Sequence, residues 1–247
     1  MDQLKLQVYV EGCIDKAFVE WLIEHVKASI KENTKKVVNI RYVVTMCGGW
    51  TNVVKRSLDG VKASGSRYLV LGFIDADEGL SAKVHSVCNI VRQYVEDELK
   101  NNAYNVACKL LSMNKPVIQI EIEGAKASYR AYIILLCDIP HKIGSIEDVL
   151  WDMINEKCGC KRDSISISCS KCPCIQYSHR FKKLSIITIL ASCICKWSPV
   201  YVGEDVCGVD VKEALEELQL IDTRAGSYYF ELLKELIILE LSYLFFK

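Results

Sequence analysis

Leu71-Gly72-Phe73-Ile74-Asp75-Ala76-Asp77-Glu78-Gly79 is an apolar run of strand length that ends on acidic residues and a glycine. Tyr9-Val10-Glu11-Gly12, near the start, has the same form. Asp75 and Asp77 are two apart, so a strand that persists through Asp77 carries both carboxylates on one face. If the two strands are neighbours in a parallel sheet, Glu11 and the aspartate pair meet at its carboxyl edge, where open α/β sheets bind their ligands. Clustered carboxylates repel one another and partly reprotonate unless a cation neutralises them, and hard oxygen donors of this kind suit Mg²⁺ or Mn²⁺. The competing reading makes Asp75 and Asp77 turn and helix-capping residues, places that aspartate often fills.

The chain has 247 residues, enough to bury a sizeable core in one domain or two. Lysines plus arginines equal aspartates plus glutamates at 31 each. With no global basic field, nucleic acid would have to be held by a local patch or a metal-bridged phosphate. Met1 to Val8 run directly into a strand pattern, without the basic start and long apolar core of a signal peptide, and a cytoplasmic protein is expected. Leu184 to Trp197 is too short to span a bilayer, and Phe230 to Phe246 is interrupted by Glu231, Lys234, Glu235 and Glu240, so no membrane helix is expected.

Leu4 to Val10 alternates as a first strand, and Gly12 can turn the chain into a helix with Asp15 as its N-cap. Ile14 and Val19 would staple that helix, and Phe18, Trp21, Leu22 and Val26 share one face. The cap explains Asp15 fully, and a metal-ligand role would be additional. Val37 to Thr45 reads as a second strand. Gly48-Gly49 lacks the lysine and hydroxyl of a phosphate loop and reads as a tight turn into a helix of about 52 to 61. After the third strand, Arg67 to Ile74, a helix from about Ser81 places Val84, Val87, Cys88, Val91 and Val95 together. Its Lys83, Arg92, Glu96 and Asp97 read as a solvated face.

Lys115 to Glu123 and Ser128 to Cys137 read as two further strands, with Gln119, Glu121 and Glu123 on a solvent face. Ser145 then caps a helix whose first turn holds Glu147 and Asp148. The expected organisation is an α/β domain over 1–140 and a mainly helical, cysteine-containing region over 141–247 packed on it. The cysteine-dense stretch from Cys158 through Cys160, Cys169, Cys172 and Cys174 has irregular spacings, and structural Zn²⁺, disulfides and free thiols all stand as readings. The last helix, near Tyr228 to Phe246, is apolar nearly all round and is expected to be buried or to form a homo-oligomer contact.

The order Val10-Glu11-Gly12-x-x-Asp15 and then Asp75-x-Asp77-x-Gly79, each after a strand and before a helix, resembles the TOPRIM domain of topoisomerases, bacterial primases, ribosomal RNA maturases and OLD-type nucleases. Gly48-Gly49-Trp50 and Gly144-Ser-Ile-Glu147-Asp148-Val-Leu150 resemble small prokaryotic TOPRIM-like proteins of uncharacterised function. The resemblance covers roughly 5 to 155. It implies a Rossmann-like, mostly parallel sheet flanked by helices, with Mg²⁺ or Mn²⁺ at the acidic edge and chemistry on phosphodiesters. By the same resemblance Glu11 would be an acid/base or metal residue, and Asp75 and Asp77 metal ligands. Asp15 and Glu147, with Asp148, would serve a second ion, and Lys183 would be the basic residue that OLD-type nucleases carry. Cys13 stands where many relatives have lysine, and the segment after Gly79 lacks the arginine and acidic cluster of topoisomerases, which argues against topoisomerase activity.

Two functions are therefore expected to compete. One is a divalent-cation-dependent phosphoryl-transfer enzyme, a nuclease on DNA or RNA; the other is a non-catalytic, metal-linked module that binds nucleotide or nucleic-acid phosphates.

Overall fold

The computed structural model describes residues 3–33, 39–64, 68–77, 79–98, 105–112, 114–123, 128–139, 141–158, 201–202, 205–206 and 211–245. Its frame is a six-stranded sheet of β1 (Gln3–Val10), β2 (Asn39–Met46), β3 (Tyr68–Asp75), β4 (Asn105–Ser112), β5 (Lys115–Glu123) and β6 (Ser128–Leu136). The strand order is β2-β1-β3-β6-β5-β4. β1 pairs in parallel with β2 and β3, and β3 with β6, whereas β5 runs antiparallel to β6 and to β4. A short ribbon joins β7 (Tyr201–Val202) to β8 (Asp205–Val206). The helices are α1 (Cys13–Asn33), α2 (Trp50–Ser64), α3 (Leu80–Glu98), α4 (Ile146–Cys158), α5 (Val211–Glu217) and α6 (Arg224–Phe245).

Strand alternation divides the interior in two. Leu4, Leu6, Val8 and Val10 of β1 face one core, which they share with α1, α4, α5 and α6. Tyr9 faces the other, with Val53, Val54 and Leu58 of α2 and Val87 and Val91 of α3. The helical face expected for α1 is fully buried at Phe18, Trp21, Leu22 and Val26. α6 buries Tyr229, Leu232, Leu233, Leu236 and Ile237 in the first core and leaves Ile238, Leu239 and Tyr243 exposed. Among the described residues no helix is long and apolar enough to cross a membrane.

Two sequence expectations fail here. β4 is a strand that the sequence reading missed: it is an edge strand, half-buried at best, and a disulfide from Cys88 of α3 to Cys108 ties it down. The face carrying Glu121 is only partly solvated: Glu123 is exposed, but Gln119 and Glu121 are half-buried and α6 reaches over this face. Arg130 donates to Glu121 at 3.0 Å and to Glu240 of α6 at 3.2 Å, and the Tyr132 hydroxyl donates to Glu240 at 2.8 Å. Cys158 closes α4; the rest of the cysteine-dense stretch, Lys183 and the apolar stretch from Leu184 to Trp197 lie outside the described residues. Cys13 is disulfide-bonded, and Cys47 and Cys137 are free thiols.

Candidate functional site

The parallel register that places Val10 opposite Phe73 brings the residues after both strand ends together. One Glu11 carboxylate oxygen accepts a hydrogen bond from the Asp75 backbone N–H at 2.9 Å. Asp75 Oδ1 in turn accepts from the N–H of Ile146, the first residue of α4, at 2.8 Å. The free N–H groups of a helix's first turn favour a carboxylate at that place.

Asp15 is not the N-cap of α1. Gly12 holds that position, its carbonyl accepting from Lys16 N at 3.1 Å, and Asp15 reaches back from the third helical residue to accept the Gly12 N–H at 3.0 Å. This is the carboxylate half of a capping box. Asp148 does the same for α4, accepting from the Ser145 N–H at 3.0 Å and the Ser145 hydroxyl at 3.2 Å. Gly144 precedes that cap at φ +103°, and a Cβ there would meet Asp148 Oδ2 at 2.5 Å. The hydrogen bonds of Asp148 thus make it a cap of α4.

Alternation does not carry Asp77 onto the face of Asp75. β3 ends at Asp75; Ala76 still donates its N–H to the Leu136 carbonyl at 2.9 Å, but Asp77 then turns left-handed at φ 47°. Its N–H and carbonyl exchange bonds with Gly144 at 2.8 and 3.0 Å, which leaves its side chain half exposed. The Asp77 carboxylate pairs with the Lys83 ammonium. Lys83 is only 7% exposed and lies 4.7 Å over the Trp50 ring. The solvated face expected for α3 is therefore wrong at Lys83, which brings a cation to the acidic edge. Its signal in the sequence was faint: a lysine in the first turn of the helix that follows the aspartates.

The remaining acids form one electrostatic unit. Burial pushes Asp15 up to about 7, and the charges of Glu11 and Glu147 add to the shift. Burial likewise holds Asp75 well above the usual carboxylate range, helped by Asp15, Glu11 and Glu147. Glu11 is raised by burial, against the Asp75 N–H bond and the nearby Lys83 charge. Four elements, β1, α1, β3 and α4, thus each contribute one carboxylate that the others feel.

Among the described residues no three His, Cys, Asp or Glu side chains already stand as a closed metal-ligand set. The donor chemistry nevertheless fits a hard divalent cation. Asp15 is 5% exposed, and its Oδ1 is buried without a hydrogen-bond partner, an orphan acceptor that such a cation would satisfy.

A family model described as a protein of unknown function (DUF3226) matches residues 5–193. No curated protein and no solved structure matches the chain.

Proposed function

The chain belongs to the DUF3226 family of proteins of unknown function, and within it we propose a divalent-cation-dependent phosphoryl-transfer enzyme, a nuclease acting on DNA or RNA phosphodiesters. The observation that carries this reading is the buried Asp15 Oδ1, unpartnered within a cluster of four mutually repelling carboxylates at the carboxyl edge of parallel strands. The TOPRIM-like order of Glu11, Asp15, Asp75 and Asp77 supports the same class of chemistry.

Glu11, Asp15, Asp75 and Glu147 would hold Mg²⁺ or Mn²⁺. The bound ion would supply Lewis-acid stabilisation of phosphoryl charge and lower the pKa of a bound water. Glu11, raised by burial, is a stronger base than an exposed carboxylate, while its bond to the Asp75 N–H fixes its orientation. Lys83, paired with Asp77 and braced by Trp50, is suited to offset negative charge building on a phosphate at that edge.

The test is calorimetric titration of Mn²⁺ and Mg²⁺ into metal-stripped protein beside Asp15→Asn and Asp75→Asn, followed by cleavage assays on single- and double-stranded DNA and RNA. Binding lost in both variants, with metal-dependent cleavage by the wild type, is the expected result. Cation binding without cleavage would leave the non-catalytic binding module. No binding with or without an added oligonucleotide would end both readings.

A further inference from the structure

We propose that the cavity between β1, the end of β2 and α2 is a nucleotide subsite that receives the sugar-phosphate unit adjoining the one at the acidic edge. The inference rests on the phosphodiester reading above and adds where the neighbouring part of the strand lies. The cavity has a volume of about 720 Å³, within the range of roughly 300–1,000 Å³ usual for small-ligand sites.

Position is the first argument. Gln7 and Tyr9 line the cavity, and Glu11 lies two residues beyond Tyr9, just past the end of β1. Gln7 and Tyr9 share one face of β1, and Glu11 follows directly after that strand's end, so the cavity and the carboxylates are successive stations about 7 Å apart. The turn after β2 closes the gap between them: Cys47 lines the cavity and donates its N–H to the Val10 carbonyl at 2.9 Å, and Gly48 donates to the Glu11 carbonyl at 3.0 Å. A strand whose scissile phosphate sits at Glu11 thus passes the mouth of the cavity.

Chemistry is the second. Lys55 and Arg56 stand exposed at its wall, and among the described residues neither has an ion-pair partner. Asp59, an exposed acid that also lines the cavity, accepts from the Tyr94 hydroxyl at 2.8 Å, so the two cations outnumber it at this wall. At the floor, Gln7 Oε1 is buried with no hydrogen-bond partner. Space for this floor depends on Gly60, where a Cβ would come within 2.8 Å of the Tyr9 hydroxyl and 3.1 Å of Gln7 Oε1. A ligand with an anionic group for the two cations and, at its other end, an N–H or O–H donor for the Gln7 oxygen satisfies both. A nucleoside phosphate has that form; a bare phosphate would leave Gln7 orphaned.

Cys47, a half-buried free thiol on the cavity wall, supplies a readout that needs no catalysis. The full chain in EDTA is treated with a thiol reagent, and the Cys47 peptide is followed by mass spectrometry with a 5′-phosphorylated pentathymidylate, thymidine 5′-monophosphate or inorganic phosphate. Asp75→Asn protein, in which carboxylate repulsion is relieved, is run alongside. The expected result is that the oligonucleotide slows alkylation of Cys47 in at least the Asp75→Asn protein, and does so more than the monophosphate at equal concentration. Lys55→Glu and Arg56→Glu should each weaken oligonucleotide binding about tenfold and reduce its salt slope by roughly 0.7, and Gln7→Leu should weaken it without changing that slope.

Cys47 alkylating at an unchanged rate in both proteins at saturating oligonucleotide would overturn the subsite. Equal protection by the monophosphate would overturn the strand assignment in favour of a free nucleotide, and equal protection by inorganic phosphate would overturn the nucleotide assignment. Because no divalent cation is present, protection in a protein that neither binds Mn²⁺ nor cleaves would sink the nuclease reading and leave the subsite standing. Cleavage with Cys47 unprotected would overturn the subsite alone.

Discussion

Glu11 and Asp75 are joined through the main chain: a Glu11 carboxylate oxygen lies 2.9 Å from the Asp75 backbone nitrogen, so the side chain of one acid fixes where the other is presented. The Asp75 carboxylate then fixes the start of α4 through the Ile146 N–H. The relay runs from the end of β1 to β3 to α4.

Removing the Glu11 side chain should therefore cost stability as well as binding. Glu11→Ala leaves the Asp75 N–H without its acceptor, a loss of about 1–3 kcal/mol, whereas Glu11→Gln keeps an acceptor oxygen. Urea unfolding should show a lower midpoint for the alanine variant only, while calorimetry should show weakened Mn²⁺ binding in both.

The Asp15 carboxyl, near 3.8 when unfolded and about 7 when folded, makes the metal-free protein sensitive to pH. Between those values the native state holds more protons than the unfolded state, so stability falls as pH rises through the window and levels off above it. The thermal midpoint of metal-free protein should drop by several degrees from pH 4.5 to 7.5, since each ~1 kcal/mol moves it about 2–4 °C in a chain of this size. Asp15→Asn should flatten that slope, and saturating Mn²⁺ should reverse it by binding the ionised native state.

Lys83→Met should separate binding from turnover. Losing a positive charge beside Glu11 and Asp77 should tighten Mn²⁺ binding by up to about tenfold, and removing a preorganised cation from the edge should slow cleavage by at least about tenfold. Calorimetry and single-turnover cleavage measure the two effects; parallel losses in both would mean Lys83 acts only through the fold.

The Cys88–Cys108 disulfide, with a sequence separation of 20, anchors a poorly buried edge strand. Replacing both cysteines with serine should cost about 3 kcal/mol. In hydrogen exchange, the amides of β4 should lose protection before those of β1 or β3 do.

Gly144→Ala meets two obstacles, a left-handed backbone at φ +103° and the Asp148 carboxylate at 2.5 Å. The substitution should destabilise by about 1–3 kcal/mol. It should weaken Mn²⁺ binding as well, because the cap it disturbs sets α4 and thus the Ile146 donor to Asp75; unfolding and calorimetry on one variant would test the link.

The sheet edge was legible because β1 and β3 are short apolar runs that end abruptly on acids, and parallel neighbours place such ends together. Asp77 was misjudged since its left-handed turn depends on Gly144, a partner distant in sequence. Lys83 was hidden because helical periodicity describes α3 against the sheet, whereas the lysine is buried by Trp50 and Asp77 at the end of the helix. β4 escaped notice because its alternation leaves every second residue exposed and the others only half-buried, and its attachment relies on a disulfide that sequence spacing does not reveal. Asp15 was legible as a helix-start residue but not as an orphan acceptor, since its burial comes from tertiary packing.

The bond from Ile146 to Asp75 spans 71 residues of chain, and that distance orders events during synthesis. Glu11, Asp15 and Asp75 leave the ribosome well before α4 exists, and until α4 docks, Asp75 Oδ1 lacks its main-chain donor and Glu147 is elsewhere. A nascent chain can therefore form the β1–β3 pairing yet remain unable to gather the four acids. If the site takes a cation as proposed, competence for it would arrive as a late step of maturation, coincident with closure of the larger core, and a stalled or truncated chain would carry the acidic residues without that affinity.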